Sequence, residues 1–424
     1  AMFYLVRKNF ALAMPGLGTQ FGISKVQLGI FLTLHGIIYG LSRFVIGIVT
    51  DRGSARKVMS IGLLLCGIVN IFFGVSDHAS SWLCAIAGKA GDTAAFTLVL
   101  VYVMGILWLI NGFLQGCGVP PCTKLMTNWI HPGELATKMS VWNMSHSIGA
   151  GLALGLCGWW IMPRLGWRWC FIIPAGVAVA GAFFLWFSLK DSPTDVGYPE
   201  VVDRPSKAKP SGRDPEYRAF VRSHVYGNRI IWTLALTNFF LYIVRFAALD
   251  WGPTLLTESK GLSIATATTI CVAFELLGGN LGMLFWGWAT DHWFHSKAHH
   301  TSVVCMAGAA LSVAGLFMLG GNAPWQLVII PYTLLGFCLY GPQALLGICA
   351  AQHATNRASA TANGILGIFG YASTLISGVG FGFAVEHYGW NAAYLVIFGA
   401  SLLAIASLLS IWRAGANGYD ADEV

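Results

Sequence analysis

The chain has 424 residues, 56% of them hydrophobic and only 10% charged, with a formal net charge of +7. A soluble domain carries about 25% charged residues, and a soluble protein so poor in charge would expose large apolar patches and aggregate. A soluble enzyme is therefore excluded, and the composition suits a chain whose outer face is solvated by lipid.

A helix needs about 20 mostly apolar residues to cross a hydrocarbon core roughly 30 Å thick. In chain order such stretches fall at 2–17, 27–49, 58–76, 95–118, 139–161 and 169–189. Six more follow at 230–256, 265–290, 301–320, 326–350, 359–384 and 390–412. The expected fold class is an all-α membrane protein of twelve transmembrane helices. The first stretch opens directly at Ala1-Met2, so a first helix truncated at its start is expected, and no secretory signal pattern precedes it.

Between the two sets of six lies 190–229, which holds eight Lys/Arg and the prolines Pro193, Pro199, Pro205, Pro210 and Pro215. This reads as a cytoplasmic linker between an N-terminal half, 1–189, and a C-terminal half, 230–424. Within it, Asp214-Pro215-Glu216 is a helix start, an acid followed by proline at the first helical position. Tyr217, Phe220, Val221 and Val225 then recur at helical spacing, as in a short amphipathic helix on the membrane surface. Basic inner loops and an even number of spans put both termini in the cytoplasm of a cell whose inner membrane holds the protein. Those loops also account for the positive charge, so no nucleic-acid partner is expected.

The halves echo each other. Tyr4-Leu5-Val6-Arg7 leading to Pro15 matches Tyr242-Ile243-Val244-Arg245 leading to Pro253, and Gly47-Ile48-Val49-Thr50-Asp51 matches Gly287-Trp288-Ala289-Thr290-Asp291. Two matches at nearly equal offsets indicate duplication, and duplicated six-span halves place a substrate site between them near the midplane. An arginine in the middle of a span costs about 2.5–3.5 kcal/mol on insertion scales and is functional by default. Arg7 and Arg245 then stand at equivalent depths facing one cavity. A guanidinium stays charged and presents a planar fork that pairs phosphate oxygens bidentately, so the two suit a phosphate or a phosphate ester.

Other polar residues carry less. The ten cysteines are scattered, with no zinc spacing, and read as small packing residues. His292, His295, His299 and His300 read as part of a solvated inner loop rather than as a metal site. No phosphate-cradling glycine loop, nucleotide fingerprint or catalytic triad is present, so neither a cofactor nor enzymatic chemistry is expected.

Gly47-Ile48-Val49-Thr50-Asp51-Arg52-Gly53-Ser54-Ala55-Arg56-Lys57 resembles the cytoplasmic loop signature of the major facilitator superfamily, in which Gly47, Asp51, Arg52, Arg56 and Lys57 latch the inner face of one half. Tyr4-Leu5-Val6-Arg7-Lys8-Asn9-Phe10-Ala11-Leu12-Ala13-Met14-Pro15, Val141-Trp142-Asn143 with His146, and Arg245 followed by Leu249-Asp250-Trp251 and Pro253 go further. So do Leu339-Tyr340-Gly341-Pro342 and Phe369-Gly370-Tyr371. Together they resemble the organophosphate:phosphate antiporter family, in particular its glycerol-3-phosphate and hexose-phosphate transporters. The resemblance implies a major facilitator fold that exchanges an organic phosphate for inorganic phosphate by alternating access, as a monomer. It assigns phosphate binding to Arg7 and Arg245.

Around them, Lys8 and Asp250 are the expected interdomain ion pair, and Glu275 balances the excess of cations. His146, within a helical turn of Trp142, donates to phosphate and responds to its proton state. Arg43 stands where the family tends to carry lysine, which changes geometry and leaves substrate size open. Tyr4, Tyr39, Tyr340 and Tyr371 offer hydroxyls. The alternative is a membrane sensor of sugar phosphate, which Leu41-Ser42-Arg43-Phe44-Val45 also resembles and which binds and signals without transport.

Overall fold

The computed structural model describes residues 1–131, 134, 138–139, 141–142, 144–199, 215–321 and 323–416. Among these residues every regular element is helical and no strand occurs. The linker residues 200–214, with the capping Asp214, and the side chain of Tyr217 lie outside the description.

Ten described helices are long and apolar enough to cross a membrane. The difference from twelve has two local causes. The Thr361–Leu409 run is interrupted by Gly389, whose φ of 75° is left-handed and ends regular helix. The first span is cut into Met2–Leu5 and Asn9–Phe21, each too short to count alone. Side chains such as Phe44 and Phe187, 74% and 75% exposed, and Leu311 and Ile368, 73% and 70% exposed, would be unfavourable against water and suit a lipid-facing surface.

Contacts gather the chain into two compact units. The first comprises Ala1–Asp203, Asp250–Val272 and Gly378–Glu386; the second comprises Arg204–Leu249, Ala273–Ser377 and His387–Val424. Short segments of the C-terminal half of the sequence thus belong to the first unit.

In the first unit the helix starts are specified locally. Ser24 Oγ accepts the Gln27 N–H while Gln27 Oε1 accepts the Ser24 N–H, a capping box that opens Lys25–Arg52. Ser54 Oγ caps Ala55–Gly74 by accepting the Lys57 N–H, and Asp92 caps Thr93–Gln115 by accepting the Ala95 N–H. Small residues let these helices approach. A β-carbon on Gly67 would stand 3.1 Å from the Ala175 carbonyl oxygen and 2.7 Å from Val179 Cγ2, so Ala55–Gly74 and Trp169–Ser188 meet almost backbone to backbone.

The expected gap after residue 76 is partly helical, since Ser76–Ile86 forms a helix directly after the Val75 break. Ser76 donates to the Phe73 carbonyl and Ser80 to the Ser76 carbonyl, each at 2.7 Å, so side chains complete the backbone pairing that polar composition concealed. The boundary expected at 351–358 is a kink rather than a long loop. Two helices meet within Trp325–Ala372 at Thr355, whose φ of 58° is left-handed. The two apolar spans on either side are Trp325–Thr355 and the run that starts at Thr361.

In the second unit, Ala273–Gly279 forms a π-turn ahead of Asn280–Trp293. Gly336 lies against it so closely that a β-carbon would stand 2.5 Å from the Phe274 carbonyl oxygen. Pro215–Val221 is helical, continued by a π-turn over Arg222–Tyr226, and buries Val221 and Val225. Its start at Pro215 agrees with proline at the first helical position, and Val221 and Val225, two of the four apolar residues expected on one face, are buried. His299 departs from the solvated-loop expectation. It is fully buried in the first turn of Ala298–Met318, while His300 stacks on Trp412 at 3.8 Å and contacts its carbonyl oxygen through Nε2 at 2.7 Å.

Candidate functional site

The first unit gathers Tyr4, Arg7, Lys8, Tyr39, Arg43, Trp142, His146 and Asp250. Arg7 and Lys8 sit in the break of the first span, between Met2–Leu5 and Asn9–Phe21. The Arg7 N–H turns to the Tyr4 carbonyl, three residues back, at 3.2 Å, sharing it with the Lys8 N–H at 3.0 Å, and Val6 takes φ −100° and ψ 21°, so the backbone leaves the regular helical path there. Arg7 lies over the ring of Tyr39, with Cζ 4.3 Å from its centroid, and Arg43 Cζ stands 5.8 Å from the same centroid. Tyr39 and Arg43 are four residues apart on Lys25–Arg52 and share a face of it. A ring face stabilises a cation by about 0.5–2 kcal/mol, so Tyr39 holds guanidinium groups in place without neutralising them.

Lys8 Nζ stands 2.7 Å from Asp250 Oδ1, and the two side chains are 8% and 19% exposed. So little exposure makes the pair a buried one, whose rupture leaves an uncompensated charge. Asp250 comes from the C-terminal half of the sequence but belongs with Lys8 to the first compact unit. Tyr4 and His146 approach ring to ring at 6.2 Å, and Trp142 is half-buried a helical turn before His146. Asn143 lies outside the described residues.

The second unit holds Arg245, Glu275, Tyr340 and Tyr371. Arg245 lies within the unbroken helix Arg229–Asp250, its Cζ 5.2 Å from the Tyr340 ring, 5.5 Å from Tyr242 and 5.8 Å from Phe246. Tyr340, fully buried, donates its hydroxyl to the Glu275 carboxylate, which the π-turn carries. Tyr371 meets Tyr242 edge-on at 6.4 Å. The Tyr332 hydroxyl donates to the Ala248 carbonyl at 2.6 Å and ties the end of the arginine-bearing helix to Trp325–Ala372.

The loop signature lies at the junction of Lys25–Arg52 and Ala55–Gly74, where only Gly53 and Ser54 intervene. Gly47 and Arg52 occupy the end of the first helix, Arg56 and Lys57 the start of the second, and the Asp51 side chain lies outside the described residues. The Arg56 N–H donates to Asp191 at 2.8 Å, and its guanidinium lies 5.6 Å from the Trp186 ring. Sequence reading missed Lys124, whose ammonium donates to the Thr50 and Gly53 carbonyls at 2.7 and 2.9 Å, closing the end of a helix that a cation favours.

It also missed four amides. Asn9, Asn70, Asn111 and Gln115 are all buried. Asn70 and Asn111 both donate to the Val6 carbonyl, at 3.2 and 3.0 Å, and Gln115 donates to the Phe3 carbonyl at 3.1 Å. The available signal was amide side chains inside otherwise apolar spans, which seek polar partners there.

The model of the Major Facilitator Superfamily matches residues 1–378. The glycerol-3-phosphate transporter of Bacillus subtilis (strain 168) is 33% identical over 421 residues, covering 98% of this chain and 90% of that protein. The probable hexose phosphate transport protein of Chlamydia trachomatis serovar D is 33% identical over 426 residues, covering 97% and 88%. The membrane sensor protein UhpC of Escherichia coli (strain K12) is 31% identical over 419 residues, covering 98% and 90%.

Proposed function

Because this chain belongs to the major facilitator superfamily, and within it to the organophosphate:phosphate antiporters, we propose that it carries an organic phosphate across a membrane in exchange for inorganic phosphate. The substrate is glycerol-3-phosphate or a sugar phosphate, the classes that the names of the Bacillus and Chlamydia relatives carry. The observation that carries the reading is an arginine in each unit held against aromatic faces: Arg7, at the break of the first span, on Tyr39, and Arg245, within Arg229–Asp250, among Tyr242, Phe246 and Tyr340. Aromatic faces orient a guanidinium and leave its charge to meet an anion.

Arg7 and Arg245 bind the phosphate group, and Arg43, His146, Trp142, Tyr4, Tyr39, Tyr340 and Tyr371 shape the space around the ester. The Lys8–Asp250 pair responds to the arriving anion, and Glu275 keeps the cationic charge near Arg245 in check. Without an anion the guanidinium charges repel and oppose closure. A bound dianion offsets that repulsion, so the carrier resets only when loaded, and exchange results rather than leak. The chain acts as a monomer in the inner membrane with both termini in the cytoplasm.

The test is uptake by liposomes that contain the purified protein and are preloaded with inorganic phosphate. Labelled glycerol-3-phosphate, glucose-6-phosphate and phosphoglycerate are offered outside. Uptake of at least one ester, abolished when the interior lacks phosphate, is expected. A second reading, a sensor, is favoured by the likeness to a membrane sensor protein. Binding of an ester without flux in either direction would support it and sink the carrier.

A further inference from the structure

The break that carries Arg7 is held by groups outside the phosphate site. In a regular helix the Phe3 carbonyl accepts the Arg7 N–H and the Val6 carbonyl accepts the N–H of Phe10. Here the Arg7 N–H points to Tyr4, and Val6 takes the non-helical angles φ −100° and ψ 21°. A carbonyl without a donor in an apolar interior is costly, yet the Phe3 oxygen receives Gln115 Nε2 and the Val6 oxygen receives both Asn70 Nδ2 and Asn111 Nδ2.

The amides are themselves fixed. Asn70 Nδ2 also donates to the Cys66 carbonyl and to Asn111 Oδ1, and Asn70 Oδ1 accepts from Asn9, which in turn donates to the Cys170 carbonyl. The Val6 side chain drops into a buried cluster of Leu63, Cys66, Ala175, Ala178 and Ala182, so the turn is gripped by backbone and side chain alike.

We propose that Asn70, Asn111 and Gln115 form an amide clamp that maintains the break in the first span, and that they are positioning residues for the Arg7 fork. Resting on the phosphate reading of Arg7, the proposal assigns these amides to substrate affinity rather than to packing alone. Without the clamp, the Phe3 and Val6 carbonyls are paired only if the first span closes into regular helix, which re-aims Arg7 away from Tyr39. A planar fork that must meet two oxygens is sensitive to such a turn, whereas an ammonium on a flexible stem is not.

The experiment measures calorimetric affinity for inorganic phosphate and glycerol-3-phosphate with the full chain in detergent. Asn111→Leu and Gln115→Met are each made with Arg7 present and with Arg7→Lys. Asn111→Leu should weaken phosphate binding about tenfold beside Arg7, the worth of roughly one hydrogen bond, and no more than about twofold beside lysine. Gln115→Met should follow the same pattern with a smaller loss. Equal losses in both backgrounds would reduce the amides to a structural role, and wild-type affinity in both folded variants would leave the clamp without function. Should Asn111→Leu fail to fold, Gln115→Met decides by the same comparison. Wild-type protein that binds neither ligand overturns the phosphate reading itself and the clamp's role with it, an outcome distinct from failure of the variants alone.

Discussion

Arg7 and Arg245 occupy matching places in a duplicated motif, and the two surroundings differ. Arg7 stands in a broken helix whose loose carbonyls are caught by amides, and it rests on one ring. Arg245 stands in an unbroken helix, among three rings, with a buried carboxylate bonded to one of them. The Tyr, Val and Arg of the motif and the proline eight residues on are shared, while the residues between, Lys8 to Met14 and Phe246 to Gly252, differ, so the shared motif does not by itself decide whether the helix breaks. Its neighbours do. Ala55–Gly74 brings Asn70 to the first span, whereas Ala298–Met318, the third predicted span of its own half, contains neither Asn nor Gln. A break persists where donors await its carbonyls.

The comparison is broken most severely through the Lys8–Asp250 ion pair of the first unit. Lys8→Asp should remove nearly all transport, because losing one partner of a buried pair costs about 3–5 kcal/mol. Adding Asp250→Lys should restore part of it in the liposome exchange assay. Losses that simply add would mean the two groups are not coupled.

Lysine at either arginine comes next. Arg7→Lys and Arg245→Lys should each weaken phosphate binding by about tenfold to a hundredfold, since each lost charge-assisted bond is worth about 1.5–3 kcal/mol. The duplicated sequence alone predicts equal harm. The structure adds that Arg245→Lys should also lower thermal stability, because a strongly hydrated ammonium replaces a stacked guanidinium inside an aromatic shell. Equal melting temperatures would erase that distinction.

Tyr340→Phe sharpens the second-unit side. It takes one donor from the buried Glu275 carboxylate and should lower stability by about 1–3 kcal/mol, read in denaturation of the detergent-solubilised protein. An unchanged melting curve would show that Glu275 is held by other groups. The smallest effect is expected at His146. Replacement by glutamine should weaken binding a few-fold and flatten its pH dependence across the neutral range in which imidazoles titrate. A wild-type profile would make His146 a packing residue.

Much of the site was legible because charge in a lipid-solvated helix is conspicuous. Arg7, Lys8, Arg245, Asp250 and Glu275 stand out against apolar surroundings, and the Lys8–Asp250 partnership followed from the cost of leaving either alone. The amides and Lys124 were less legible, since a neutral donor inside a span has many ordinary uses and its importance depends on which carbonyl it meets. Polar composition hid the Ser76–Ile86 helix, where serines complete the backbone pairing. His299 looked like loop because its neighbours are polar, while packing at the start of Ala298–Met318 buries it.

Sequence by itself determined the membrane setting, the helical class, the duplication and the charged residues, since these follow from composition, span length and the cost of charge in lipid. Tertiary structure decided where the first span breaks, which amides hold it, which ring each arginine rests on and which segments join the first unit. Those depend on neighbours distant in sequence, such as Val6 and Asn111 or Lys8 and Asp250. A hydrogen bond forms only where the folded backbone brings a donor within about 3 Å of an acceptor.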